Sequence, residues 1–138
     1  SLADRLALQE GTKPKSLIID INYNSSELGD PLINDTQAIG LGIVDSKDLD
    51  FIYETARKIN ELLIEFFSKA GIKLIDFKLE FGRDSQGNII LADEISPDTC
   101  RFWDAKTNEK LDKDRFRRDL GNVKEAYVEM LNRITGKN

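Results

Sequence analysis

The chain has 138 residues, 40% of them hydrophobic and 33% charged, with a formal net charge of −5; this is enough apolar material for one domain with its own core. The acidic balance argues against broad electrostatic capture of nucleic acid or of an anionic membrane surface, and no apolar run approaches the ~20 residues that a membrane-spanning helix needs. Histidine is absent and cysteine occurs once, at Cys100, which excludes Ser-His-Asp and Cys-His nucleophile systems, HExxH zinc sites, a Cys-rich structural zinc site and an internal disulfide.

What remains is chemistry run by carboxylates, lysine and arginine. Those groups serve hard cations and phosphates rather than nucleophile activation. With no basic and apolar leader at Ser1–Arg5 and no disulfide, the expectation is a cytoplasmic protein with neither nucleic-acid nor membrane partners.

In chain order, Leu2, Leu6 and Leu8 mark a short amphipathic segment that begins directly at Ser1 without a methionine, as expected of a fragment or processed chain. Ser16 to Tyr23 (SLIIDINY) repeats Leu17, Ile19, Ile21 and Tyr23 at period two and predicts a strand. Asn24 to Asn34 (NSSELGDPLIN) is rich in turn formers and reads either as a plain connection or as a loop with polar groups turned to a ligand. Leu49, Ile52, Ala56, Ile59, Leu62, Leu63, Phe66 and Phe67 recur at three and four, so Ser46 to Ala70 is predicted to be a helix. Asp45 or Ser46 suits its N-cap, and Lys69 followed by Gly71 suits its end.

The next stretch, Lys73 to Arg101, predicts two strands joined by a polar turn. Asp76, Lys78 and Glu80 alternate with Phe77, Leu79 and Phe81, which puts charges on one face of the pleat and apolar residues on the other. Two carboxylates about 4 Å apart repel by about 4 kcal/mol at an effective dielectric near 20, so a close pair needs a cation. Magnesium fits, because it is held by one or two carboxylates together with phosphates. The partner of Glu80 depends on register: Phe81 opposite Ile90 puts Asp93 across from Lys78, whereas a slip of one residue substitutes Glu94. A plain solvated strand face is the competing reading. Leu111 to Ile134 closes the chain with a helical pattern interrupted at Gly121-Asn122. Arg115 to Arg118 lie in its first segment; its second, capped by Asn122, has Val123, Ala126, Tyr127, Met130, Leu131 and Ile134 at core spacing.

Four separated stretches, ELGDPLIN (Glu27 to Asn34), DFKLEFGRD (Asp76 to Asp84), LADEISPDTCRFWD (Leu91 to Asp104) and LDKDRFRRDLG (Leu111 to Gly121), closely resemble phosphoribosylaminoimidazole-succinocarboxamide synthase, or SAICAR synthetase, of purine biosynthesis. The resemblance implies an α+β C-terminal lobe of that family, an antiparallel sheet with a central hairpin flanked by helices, spanning residues 1–138 and lacking the family's N-terminal nucleotide-binding lobe. It implies ligation of L-aspartate to carboxyaminoimidazole ribotide (CAIR) with ATP as co-substrate and Mg2+ as cofactor, through an acyl phosphate. The chain alone is then expected to be insufficient for turnover, and a homo-oligomer is compatible with the family.

By the same resemblance Glu80 and Asp93 match the magnesium-associated acids and Lys78 the catalytic lysine between them, with Asp76 also placed in the catalytic group. Ser1 matches a ribotide-phosphate serine, Asp30 the acid of the GDP loop, Arg101 and Arg117 arginines for anionic substrate groups, and Asp98 a further substrate-binding position. Asn24 and Ser26 depart from the lysine and acid that family members often carry near there, which puts a phosphate contact from that loop in question. Two rival readings stand beside this one: another kinase-like or ATP-grasp-like phosphotransferase built on the acid-Lys-acid hairpin, and a truncated module without catalysis.

Overall fold

The structure, a computed structural model, describes residues 1–93, 95–112 and 122–136. The chain divides into two compact units, residues 1–57 and 58–138, with the boundary inside its longest described helix. No described helix is long and apolar enough to cross a membrane.

The first unit contains α1 (Leu2–Arg5), the two-residue strands β1 (Ile21–Asn22) and β2 (Leu32–Ile33), a 3-10 turn at Ser26–Leu28, α2 (Asp35–Gly40) and the beginning of α3 (Ser46–Lys69). The strand expected from Ser16 to Tyr23 contracts to β1, paired antiparallel as Ile21 with Ile33 and Asn22 with Leu32. A strand extends only as far as its ladder, and β2 is bounded on one side by Pro31, which lacks an N–H, and on the other by Asn34. Asn34 caps α2: its side chain accepts from Gln37 N at 2.8 Å, while the Gln37 side chain accepts from Asn34 N at 2.9 Å. That reciprocal box is legible in Asn34-Asp35-Thr36-Gln37, but a helix of 6 residues is too short for a hydrophobic repeat to mark it. Ala38 and Leu49 are the buried apolar residues of this unit.

Helix α3 matches its expected span to one residue. Asp45 and Asp48 close its start, each carboxylate accepting from the other's backbone N–H, and Gly71 follows its end at φ 70°, a left-handed turn that favours glycine.

The second unit holds β3 (Ile72–Phe77), β4 (Phe81–Arg83), β5 (Ile89–Leu91), β6 (Cys100–Asp104) and α4 (Val123–Thr135). Here the expected single strand from Lys73 through Phe81 is corrected: it breaks at residues 78–80. Its first half pairs antiparallel with β6 and its second half with β5, so the described strands form two-stranded ribbons rather than one sheet around a central hairpin. The outer edge of β6 is also engaged, because Leu111 N donates to Phe102 O at 2.8 Å and Asp112 Oδ2 accepts from Phe102 N at 2.7 Å. Leu111, expected to open a helix, is therefore a fully buried, strand-like residue instead.

The core joins Phe67, Ile72, Cys100, Phe102, Leu111, Ala126 and Met130, with the Phe67 and Phe102 rings 4.5 Å apart. Of the residues at helical core spacing in α4, Ala126 and Met130 are buried but Leu131 and Ile134 are exposed. Asn122 stands at the N-cap position in a left-handed conformation and makes no side-chain cap, contrary to expectation. The arginine-bearing segment before it, residues 113–121, lies outside the described residues.

Candidate active site

The pairing of β3 with β6 contains a β-bulge. Leu74 lies opposite Phe102 and Asp76 opposite Arg101, so Ile75 is an extra residue on the β3 side. Strict alternation from buried Ile72 through Leu74 would send Asp76 into the core. The bulge instead shifts the parity, and Phe77 packs against the core beside its partner Cys100 while Asp76 meets Arg101, Oδ2 to a guanidinium nitrogen at 3.5 Å. A double apolar pair, Leu74-Ile75, inside an alternating run is the sequence trace of this insertion.

Beyond Phe77 the backbone passes to the Ser96–Thr99 turn, where Lys78 N donates to Thr99 O at 2.8 Å. Ser96 N donates to Thr99 Oγ1 at 3.0 Å, Thr99 N to Ser96 O at 3.0 Å and Asp98 N to Ser96 Oγ at 3.1 Å. Asp98 is thereby displayed on a turn tied to Lys78. Its Oδ1 accepts from the Tyr127 hydroxyl at 3.0 Å.

Lys78 Nζ lies 2.7 Å from Glu80 Oε1, with the lysine side chain 59% exposed and the glutamate 26%. Glu80 O accepts from Ala92 N at 2.8 Å, which brings half-buried Asp93 next in the chain. The β4–β5 register puts Phe81 opposite Leu91, one residue along from the Phe81–Ile90 pairing that favoured Asp93. The Ala92 N–Glu80 O bond continues that register by one pair, so the alignment that would set Asp93 across from Lys78 is not the one the strands adopt. Glu94 lies outside the described residues.

The structure thus gathers Asp76, Lys78, Glu80, Asp93, Asp98 and Arg101 around the break in β3. Ser1 and Asp30 belong to the first unit. The Ser1 hydroxyl is engaged at the start of α1, donating to Asp4 Oδ2 at 2.8 Å and accepting from Asp4 N at 3.2 Å. Asp30, at φ 49° after left-handed Gly29, closes its loop by accepting from Ser25 N at 2.8 Å. Arg117 lies outside the described residues.

Electrostatics separate this cluster from other carboxylates. Asp84 in the β4–β5 turn is held below the usual carboxylate range first by the backbone N–H of Asn88 and then by that of Gln86, so its charge is spent on the turn. Burial pushes the Cys100 thiol up, which removes it as a nucleophile at neutral pH. Among the described residues no group of three or more His, Cys, Asp or Glu side chains could enclose a metal. The donor set of the cluster, half-buried Glu80 and Asp93, suits a hard cation that shares its coordination with phosphates.

Three residues carry roles that local pattern does not reveal. Tyr127, at core spacing in the sequence, also reaches Asp98; Asp112, fully buried, gives its carboxylate to the edge of β6; and Trp103, buried with an unpartnered indole N–H, carries Lys110 Nζ 4.3 Å from its ring centroid. In the first unit a groove of about 310 Å³ is lined by Asp20, Leu32, Asp35 and Tyr53 among others, and by none of the predicted site residues. The Tyr53 phenol there is pushed up to about 12, by burial first and then by its hydrogen bond to Asp35.

The family model for SAICAR synthetase matches residues 1–134. A phosphoribosylaminoimidazole-succinocarboxamide synthase of Clostridium acetobutylicum is 63% identical over 137 residues, covering 99% of this chain and 58% of that protein. Among solved structures, a SAICAR synthetase in complex with ADP superposes with a TM-score of 0.92 at 52% identity, covering 99% of this chain and 58% of the other. The SAICAR synthetase from Pyrococcus horikoshii gives 0.90 at 51%, covering 99% and 60%. The chain therefore spans a little under three fifths of the length of the relatives it matches.

Proposed function

This chain belongs to the SAICAR synthetase family, and from that premise we propose that it forms the metal and ribotide side of a cytoplasmic ligase joining L-aspartate to CAIR in purine biosynthesis. It corresponds to the C-terminal lobe, and the nucleotide-binding half of the site is supplied by residues outside it. The single observation that carries the reading is the convergence of Asp76, Lys78, Glu80, Asp98 and Arg101 around one break in a strand, in a chain whose family motifs select those same positions. ATP as co-substrate is supported by the relative solved with ADP.

Each side chain has a role that follows from its surroundings. Arg101 presents a planar fork suited to a carboxylate or phosphate, and Asp76 holds that fork from one side. Lys78 offers a point charge to an anion, with Glu80 as its holder in the absence of ligand. By their motifs Ser1 is assigned to the ribotide phosphate, Arg117 to an anionic substrate group, and Asp30, the acid of the GDP loop, to substrate binding. Glu80 and Asp93 would hold magnesium, which when bound supplies charge neutralisation for the phosphates. The reaction transfers the γ-phosphoryl group of ATP to the CAIR carboxylate, releasing ADP; the aspartate amine then attacks the acyl carbon and expels phosphate. Activation of the carboxylate provides the leaving group, so the residues bind and orient rather than act as an imidazole base, in keeping with a chain without histidine.

The test is reconstitution. Joined to the N-terminal portion of the Clostridium acetobutylicum relative, this chain should form SAICAR from ATP, aspartate and CAIR. A folded, soluble chimera that produces no SAICAR would overturn the reading.

A further inference from the structure

We propose that Tyr127 is a positioning residue for Asp98, an inference that rests on the reading of Asp98 as a substrate-binding acid. The backbone of the Ser96–Thr99 turn is fixed by its own hydrogen bonds and by Lys78 N. Those contacts place the Cα of Asp98 but leave its exposed side chain its rotamers. What acts on the carboxylate itself is the Tyr127 hydroxyl, 3.0 Å from Oδ1.

Tyr127 is well placed to impose an orientation. It follows buried Ala126 on α4, lies one turn from buried Met130, and packs against the core cluster. A ring held by core packing carries its hydroxyl at a defined point, and an aspartate that accepts from it loses rotational freedom before any ligand arrives. The bland alternative is that a tyrosine at the margin of a core has simply found a surface acceptor. Two facts favour positioning. The acceptor is an acid of the family motif rather than an arbitrary surface group, and it stands three residues from Arg101, whose guanidinium is likewise held by a neighbour, Asp76. A donor on one carboxylate oxygen leaves the other to accept from an N–H or O–H group of the substrate. Helix α4 thereby contributes to ligand geometry without touching the ligand.

The experiment is a double-mutant cycle in the complete synthetase carrying this segment. It compares Tyr127→Phe, Asp98→Asn and the pair, with KM and kcat for CAIR and aspartate and a urea melt of each. Tyr127→Phe keeps the packed ring and should fold normally. It should raise the KM of one substrate about tenfold, as expected for loss of a hydrogen bond to a charged group, with kcat within about threefold. The double variant should be no worse than Asp98→Asn alone. Wild-type constants in Tyr127→Phe, or a penalty that adds fully to that of Asp98→Asn, would overturn the inference while leaving the ligase reading intact. If Asp98→Asn itself has wild-type constants, the assignment of Asp98 fails and the inference goes with it.

Discussion

Lys78 and Glu80 hold one another at 2.7 Å, so the groups proposed for an anion and for a cation neutralise each other when neither is bound. At their exposure such a pair stabilises the fold by about 1 kcal/mol or less, and their substitution should register in turnover far more than in stability. Glu80→Gln or Asp93→Asn should lower magnesium-dependent turnover of the complete enzyme on the order of 10²-fold, measured by titrating magnesium; near-normal rates at limiting magnesium would remove the metal assignment. Arg101→Lys keeps the charge but loses the fork, and should raise the KM of an anionic substrate roughly tenfold. A different residue contributes to acid stability. Asp104 is held well below the usual carboxylate range by the backbone N–H of Thr107 first, then by Arg133, at 2.5 Å, and the Lys106 N–H. Because its folded pKa lies below the unfolded value of about 3.9, its contribution is present above about pH 4 and is lost as pH falls from there toward the folded pKa. Asp104→Asn should therefore flatten the acid limb of urea-melt stability below about pH 4 and leave the slope near neutrality unchanged.

Among the elements, the bulge at Ile75 does most to build the site, and it is the least obvious feature in a pattern of alternating residues. Alternation after the bulge was legible: Asp76 and Phe77 do take opposite sides. The partner strand was not, because a local pattern says which face a residue prefers but not which distant segment completes the ladder. Deleting Ile75 would close the bulge and leave Leu74 inward and Asp76 outward on a regular ladder, still opposite Arg101; the variant should stay soluble and lose about 2 kcal/mol or less in a urea melt, the share of one half-buried side chain. Ile75→Ala retains the extra residue and should cost about 2 kcal/mol or less, since its side chain is only half-buried. Helix α3 was readable throughout because a long amphipathic repeat with caps is specified locally. The two-residue strand β1 was over-read because its alternation had no ladder to extend into.

At the scale of the whole molecule, the chain spans about 58% of the relatives it matches. On the proposed division, with the nucleotide-binding half outside it, the purified 138-residue chain should form no SAICAR from ATP, aspartate and CAIR, and product above the no-enzyme blank would refute that division. The sequence by itself determined the chemical kit: a chain without histidine, with one cysteine and with spaced acids, a lysine and arginines can work on hard cations and anions but not through an imidazole. It also determined the family, because four motifs in order are a far narrower match than any one of them. Only the tertiary structure decided that β3 joins β6, that Asp76 is turned to Arg101 by one extra residue, and that Tyr127 reaches Asp98 across 29 positions of chain. Those are contacts between distant segments, and they form because the core of Phe67, Ile72, Phe102 and Met130 brings together residues whose local preferences carry no information about one another.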